Sequence, residues 1–485
     1  MVRLFAVLNV LSVVIMIFAL CLLFPLLCSF LIGDSAQTAY DEALLVTAVA
    51  GALLWAMTRK MRRELQPRDG FLLVALVWTV LPAFATLPLL FYLPELSFTD
   101  AYFEAVSGLT TTGATVLSGL DKLPPSINIW RTFLVWIGGM GVIVLAVAIL
   151  PLLGVGGSQM YKAETPGPMK DTKLTPRIAE TAKGLWLVYL CITVACILCY
   201  RLAGMNWLDA MMHAFSTIGL GAFSSHDASY GHWNSPAIEV VAVYFMLLAG
   251  INFGTHFLAW RRGSFLPYAR DPEVGLYLLV VIGSVLGIAY FLLANQTYAS
   301  FWTALRFSAF NVVSIATTTG FSNVDYSLWP VFAPVWMLFL CSFATCSGST
   351  GGGIKMIRAE LMARQAVREM TRIIHPRAVV PVKLGGAPVE NSIIFAVLAF
   401  ILVYNGSVIA MTMLLAASGV DIVTAFSAVI ACINNTGPGL GRVGPATTYA
   451  ALNDFQIWIC TIAMLLGRLE LFTLLVVFTP GFWRK

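Results

Sequence analysis

The sequence predicts an all-α membrane protein: four tandem M1–pore helix–M2 repeats around one pseudo-fourfold pore, preceded by an N-terminal two-helix hairpin. Three observations predict it. Apolar residues make up 59% of the chain and charged residues 11%, about half the usual charged share. Many apolar runs exceed the roughly 18 residues that span a bilayer. Between such runs a polar string recurs. It reads Thr110-Thr111-Thr112-Gly113, then Thr317-Thr318-Thr319-Gly320, then Asn434-Asn435-Thr436-Gly437, with a blurred copy from Ser216 to Ala222.

Taken in order, residues 4–32 and 43–58 read as an apolar hairpin, with Asp34, Asp41 and Glu42 at its turn. The first run is too long for a signal-peptide core, so a retained helix is expected. Repeat 1 has a span at 71–93, a short helix at 100–109, the loop 110–115 and a span at 127–153. Repeat 2 has spans near 184–204 and 236–260, enclosing a short helix at 207–215 and the loop 216–225. Repeat 3 has spans near 274–294 and 330–346, with 300–314 and 316–323 between them. Repeat 4 has spans near 391–417 and 454–479, with 421–432 and 434–439 between them. The domains are then 1–68, 69–160, 161–265, 266–383 and 384–485, giving ten crossings and four re-entrant segments.

Most of the 29 Lys and Arg residues fall between these units. The clusters are Arg59 to Arg68, Lys162 to Lys183, Arg261 to Arg270, and Lys355 to Lys383, the last being the largest. Short loops rich in Lys and Arg stay in the cytoplasm, so these loops and both termini are expected there. Their shortness argues against nucleic acid as a partner. Every repeat starts and ends on the same side, so the repeats are parallel. Inverted repeats are the mark of rocking carriers, whereas four parallel units around one axis make a pore. Irregular backbone at membrane depth is tolerated only where protein buries it or water lines it, so the four loops should meet. Their Thr, Ser, Asn and Gly residues offer carbonyls and hydroxyls without fixed charge, which suits a cation stripped of its hydration shell. The short helices aim their partly negative C-terminal ends at the same axis. A single Thr-Thr-Gly string is an ordinary helix-to-loop turn; four at the same place in each repeat are more than that.

These residues resemble the Trk/Ktr/HKT superfamily of potassium transporters, and the hairpin and length resemble its bacterial TrkH branch. The likeness covers the whole chain. Its most specific strings are Gly108 to Thr115, Thr317 to Ser322, Asn434 to Gly439, and Gly467-Arg468-Leu469-Glu470-Leu471. The resemblance implies a potassium filter with one glycine per loop: Gly113 beside Thr111 and Thr112, Gly320 beside Thr318 and Thr319, and Gly437 beside Asn435 and Thr436. The second loop departs from the pattern. A gapless alignment puts Ala222 on Gly113, with Gly221 one place earlier, so either can hold the position.

Residues 344–353 are small and glycine-rich where the third repeat's last helix should continue. Glycine runs do not hold a helix cheaply, so a break below the loops is expected. The resemblance makes Ser347, Gly348, Ser349, Thr350, Gly351, Gly352 and Gly353 an intramembrane gating loop, with Arg468 beside it facing the pore. Arg468 sits in the middle of the last predicted span, where a charge is expensive and faces a cavity or a partner. A structural partner, a backbone carbonyl or a carboxylate, is its other reading. Glu104 either concentrates cations at the pore or ties its short helix to a neighbour. The letters Gly439-Leu440-Gly441-Arg442-Val443-Gly444 spell a dinucleotide fingerprint, but no βαβ unit surrounds them. Cys191, Cys196, Cys199, Cys341, Cys346 and Cys460 read as small core residues. The five His residues are scattered without metal-ligand spacing.

The resemblance implies potassium-selective uptake through the inner membrane of a bacterium, by a gated channel-like pore. The alternative is a symporter coupled to protons or sodium on the same scaffold. Potassium is the transported ion, no organic cofactor is expected in the chain, and no enzyme constellation is present. The implied partners are a second copy in a homodimer, membrane lipid, and a TrkA-type ring of cytoplasmic nucleotide-binding subunits docking on the basic loops 154–183 and 355–390.

Overall fold

The computed structural model describes residues 2–60, 66–144 and 178–484. The end of the span predicted at 127–153, the loop 154–177, and Arg62, Arg63, Lys162, Lys170, Lys173 and Arg177 lie outside the described residues. The chain is an all-α membrane protein, with a single two-stranded hairpin among the described residues, Lys383–Leu384 against Ala387–Pro388. The sequence did not predict that hairpin; Gly385 and Gly386 turn it with φ of +54° and +85°.

The N-terminal hairpin descends as Val2–Cys21 and Leu23–Ile32 and returns as Gln37–Thr58. Gly51 lets the two arms close, since a Cβ there would stand 2.8 Å from Met16 Cγ. Asp34 at the turn accepts from the Ser126 N–H at 3.0 Å, and Tyr40 donates to Ser126 O at 2.8 Å. The hairpin is thereby fastened to repeat 1 rather than free beside it.

Each repeat places a short helix between two longer elements. In repeat 1 these are Pro67–Ala85 with Leu87–Tyr92, then Phe98–Leu109, then Pro125–Val144. Repeat 2 has Ile178–Leu202, Trp207–Gly219, and Pro236–Ala249 with Phe253–Arg262. Repeat 3 has Val274–Ala294, Phe301–Ala316 and Phe332–Phe343; repeat 4 has Asn391–Ala417, Ile422–Ile433 and Asp454–Arg468. Three of the short helices start on side-chain caps: Ser97 accepts from Asp100 N, Asn206 from Asp209 N, and Asp421 from Thr424 N. Such caps satisfy backbone donors left over at a helix start.

Among the described residues, six helices are long and apolar enough to cross a membrane, and two bent pairs bring the number to eight. The other two crossings expected from the sequence correspond to Pro125–Val144 and to Phe332–Phe343, which stops after 12 residues. Two spans predicted straight are broken. The one read at 236–260 bends by 92° between Ala249 and Phe253, and the one read at 454–479 bends by 105° after Arg468. At the first break Asn252 caps the new helix by accepting from Gly254 N at 2.8 Å. At the second, Glu470 and Leu471 both take φ of +52°, a left-handed step that no α-helix continues through. Arg468 therefore lies in the last turn of its helix, not in mid-span. The short helix of repeat 2 also runs on to Gly219, past the end expected at residue 215. Cys191 is exposed on the bundle's outer surface, against its reading as a core residue, and Cys199 is partly exposed.

Candidate functional site

The four short helices end around one axis, at Leu109, Gly219, Ala316 and Ile433, and the loops that follow them touch. They share one backbone pattern. Thr112 N, Thr319 N and Thr436 N donate at 2.8 Å to the carbonyls of Ser107, Ser314 and Ala431, five residues back, and Gly221 N donates at 3.0 Å to Ser216 O. One place earlier, Thr111, Thr318, Asn435 and Leu220 all have positive φ, between 54° and 60°. That register makes Gly113, Gly320, Gly437 and Ala222 the equivalent positions. The gapless alignment is thus the one the backbone follows, and Gly221 corresponds to Thr112.

These four residues close on one another. A Cβ on Gly113 would overlap Ala222 N, and one on Gly320 would overlap Thr436 O and stand 2.9 Å from Ala222 Cβ. One on Gly437 would stand 2.7 Å from Thr112 O and 3.1 Å from Ala222 Cβ. The three glycines have φ of +76°, +85° and +100°, which glycine adopts freely and other residues do not. Ala222 is outside the left-handed region, so its methyl is tolerated and the ring is not fourfold-equal. Side chains brace the loops from behind. Asn435 Nδ2 donates to Thr112 Oγ1 and Met464 O, both at 3.0 Å. The hydroxyls of Thr110 and Thr112, and of Thr317 and Thr319, pair at 2.8 and 2.7 Å.

On one side of the ring a cavity of about 200 Å³ opens, lined by Gly113, Ala222, Gly320 and Gly437 and by Thr115, Ser224, His226 and Asp227. On its rim, the His226 ring nitrogens face Asp121 and Asp209. Burial pushes the His226 imidazole down, but those two carboxylates prevail and hold it above its ordinary value. Burial likewise opposes the shift of Asp121, which His226 and the Asp227 N–H hold below the usual carboxylate range.

On the opposite side, the loop 344–355 is seated directly against the ends of the short helices. Thr350 Oγ1 donates to Ile218 O at 2.9 Å, and Gly352 N donates to Thr318 Oγ1 at 2.9 Å. A Cβ on Gly352 would overlap Asn434 O. Gly348 O accepts from Phe253 N at 3.0 Å, and Cys346 N donates to Gly250 O at 3.0 Å, so the break in repeat 2 cradles the loop. Arg468 donates to Thr350 O at 3.0 Å, to Thr111 Oγ1 at 3.4 Å and to Gly138 O. It ties the loop to both the first repeat's ring strand and its last helix. Its partners on the loop and on the last helix of repeat 1 are backbone carbonyls, one of the two partner types its structural reading allowed. Its neighbour Glu470 faces elsewhere, onto Arg358 at 2.7 Å.

Three charged residues that sequence reasoning missed complete the site. Glu273 is buried and accepts from Ser347 N at 2.8 Å and from Ile357 N at 2.9 Å, so one carboxylate pins both ends of the loop. Lys355 is buried and donates to Gly351 O. Arg131 pairs with Glu104 at 2.7 Å, both 1% exposed. Glu104 also accepts from Thr115 Oγ1 and Val116 N, and Arg131 reaches Ser224 O. Of the two readings of Glu104, the structural tie is the one the contacts support. Their only signal in the sequence is a charge inside or beside an apolar run, which at membrane depth marks a paired group.

The comparisons with known proteins fit this arrangement. The family model described as "TrkH: Cation transport protein" matches residues 36–485. A Trk system potassium uptake protein TrkH of Halomonas elongata is 48% identical over 481 residues, covering 99% of each chain. Its counterpart in Escherichia coli K12 is 45% identical over 481 residues, again covering 99% of each. The crystal structure of the potassium transporter TrkH from Vibrio parahaemolyticus superposes with a TM-score of 0.89 at 43% identity, covering 99% of this chain and all of that one. The chain belongs to the TrkH family of cation transport proteins, and is a membrane transport protein rather than an enzyme.

Proposed function

We propose that the chain carries out potassium-selective uptake through the bacterial inner membrane, by a gated channel-like pore. The observation that carries it is the shared register of four loops whose ring residues, Gly113, Ala222, Gly320 and Gly437, approach within van der Waals distance around one axis. Relatives of 45–48% identity are named for potassium uptake. Thr111, Thr112, Gly221, Thr318, Thr319, Asn435 and Thr436 form the strands of the filter with those four residues. Their carbonyls replace the water of a dehydrated cation.

The gate in this proposal is the loop from Ser347 to Gly353. Seated as it is against Thr318 and Asn434, it blocks the axis; potassium passes when it withdraws. Arg468 braces the closed position through Thr350 O. A second copy makes a homodimer, and lipid surrounds it. A TrkA-type nucleotide-binding ring docks on the basic cytoplasmic face, consistent with the Trk system names of the relatives. Both termini are cytoplasmic, and the five domains divide at 68, 160, 265 and 383.

Flux into liposomes holding the purified chain alone tests this proposal, with potassium, rubidium, sodium and lithium gradients in turn. Uptake of potassium and rubidium down their own gradients supports it. Uptake only in the presence of a proton or sodium gradient replaces it with the symporter.

A further inference from the structure

We propose that Asp121, His226 and His232 form a binding site for a divalent transition metal ion of the zinc class, on the rim of the cavity above the ring. His226 and His232 are six residues apart, without the short spacing of a sequence motif, and the fold brings them together. One ligand atom from each of the three side chains lies within 4.8 Å of the others. The two imidazoles stack with centroids 3.6 Å apart and planes 7° from parallel, so the exposed His232 ring must turn to bring its in-plane lone pair onto an ion shared with His226.

A second observation supports the site independently. Asp209 faces His226 Nε2 from behind at 3.4 Å. It is buried, and its own oxygens accept from Asn206 Nδ2 and Ser225 Oγ, both at 2.7 Å. A carboxylate behind a histidine fixes the tautomer and ring orientation of a metal ligand and raises its basicity. His226 Nδ1 faces Asp121 Oδ1 on the side away from Asp209. Asp121 Oδ2 is held by Asp227 N at 3.2 Å, which leaves Oδ1 as the ligand atom for an ion.

The ligand set selects the ion. Two imidazoles and one carboxylate suit zinc and its neighbours, whereas magnesium and calcium prefer all-oxygen sites. Three protein ligands leave a fourth position for water. Asp121 and His232 are exposed, so their side chains can turn to reach the ~2.0–2.2 Å ligand distances that zinc requires. His226 lines the same cavity as Gly113, Gly320 and Gly437. A divalent ion held there adds positive charge to the approach of any cation to the ring.

The test is calorimetric titration of zinc chloride into the purified full chain and into H232A and D121N, with thermal melting to check that each variant is folded. One zinc per chain in the wild type, bound at least about tenfold more weakly in both variants, is the expected result. No saturable binding, or unchanged affinity in H232A, overturns the site. Rubidium uptake with zinc added on the cavity side then reads its effect. Slowing that a chelator reverses, and that is weakened in H232A, is expected. Uptake indifferent to zinc in a chain that binds it overturns the influence on transport and leaves the binding site standing.

Discussion

Replacing Arg468 by Gln should open the pore. Arg468 donates from Nη1 to Thr350 O of the loop at 3.0 Å, and also to Thr111 Oγ1, Gly138 O and Gly139 O. A hydrogen bond to a charged group contributes about 1.5–3 kcal/mol. If that bond exists only while the loop is seated, its loss lowers the closed-to-open ratio roughly tenfold to a hundredfold, at 1.4 kcal/mol per factor of ten. Glu273 and Lys355 still hold the loop, so the variant should be leaky rather than permanently open. The assay is radiolabelled rubidium uptake into liposomes by the chain alone. Arg468→Gln should take up rubidium roughly tenfold faster or more. Arg468→Lys keeps the charge but not the fork and should fall between the two. A folded Arg468→Gln chain with uptake at or below the wild-type rate would refute the bracing role. An Arg468→Lys chain matching the wild type would assign the effect to charge alone.

Three further outcomes are expected. Gly352→Ala puts a Cβ onto Asn434 O and should unseat the loop, raising basal rubidium uptake. Glu273→Gln weakens the acceptor that pins Ser347 N and Ile357 N; hydrogen-exchange mass spectrometry should show faster exchange over residues 346–357. Glu104→Ala leaves the guanidinium of Arg131 buried without its carboxylate. Breaking such a pair costs about 3–5 kcal/mol, so the melting temperature in detergent should fall, and adding Arg131→Met should recover part of the loss.

The fold was legible where the chain departs from apolar monotony. Thr-Thr-Gly strings and the run Gly351-Gly352-Gly353 stand out at membrane depth, because polar or helix-breaking residues persist there only with a partner. The second loop was ambiguous because Gly221 and Ala222 both fit by letter. The left-handed turn at Leu220, two places before Ala222, resolves it, and no rule of composition assigns that conformation to a leucine. The breaks after Ala249 and Arg468 were missed for a related reason. Each falls within an apolar run, and each is maintained by the loop or helix end packed against it. Pairs such as Glu104 with Arg131, Arg358 with Glu470 and Arg306 with Glu239 join residues 27 to 112 positions apart. A single sequence displays the charges but not which of them meet.

Four loops acting as one selective ring should be separable by substitution at each ring position. The ratio of potassium to sodium uptake in liposomes tests it most directly, in the wild type and in Gly113→Ser, Ala222→Ser, Gly320→Ser and Gly437→Ser. A strong preference for potassium is expected in the wild type, falling in all four variants and least in Ala222→Ser, where a Cβ is already accommodated. A ratio unchanged by substitution at Gly113, Gly320 and Gly437 would contradict it.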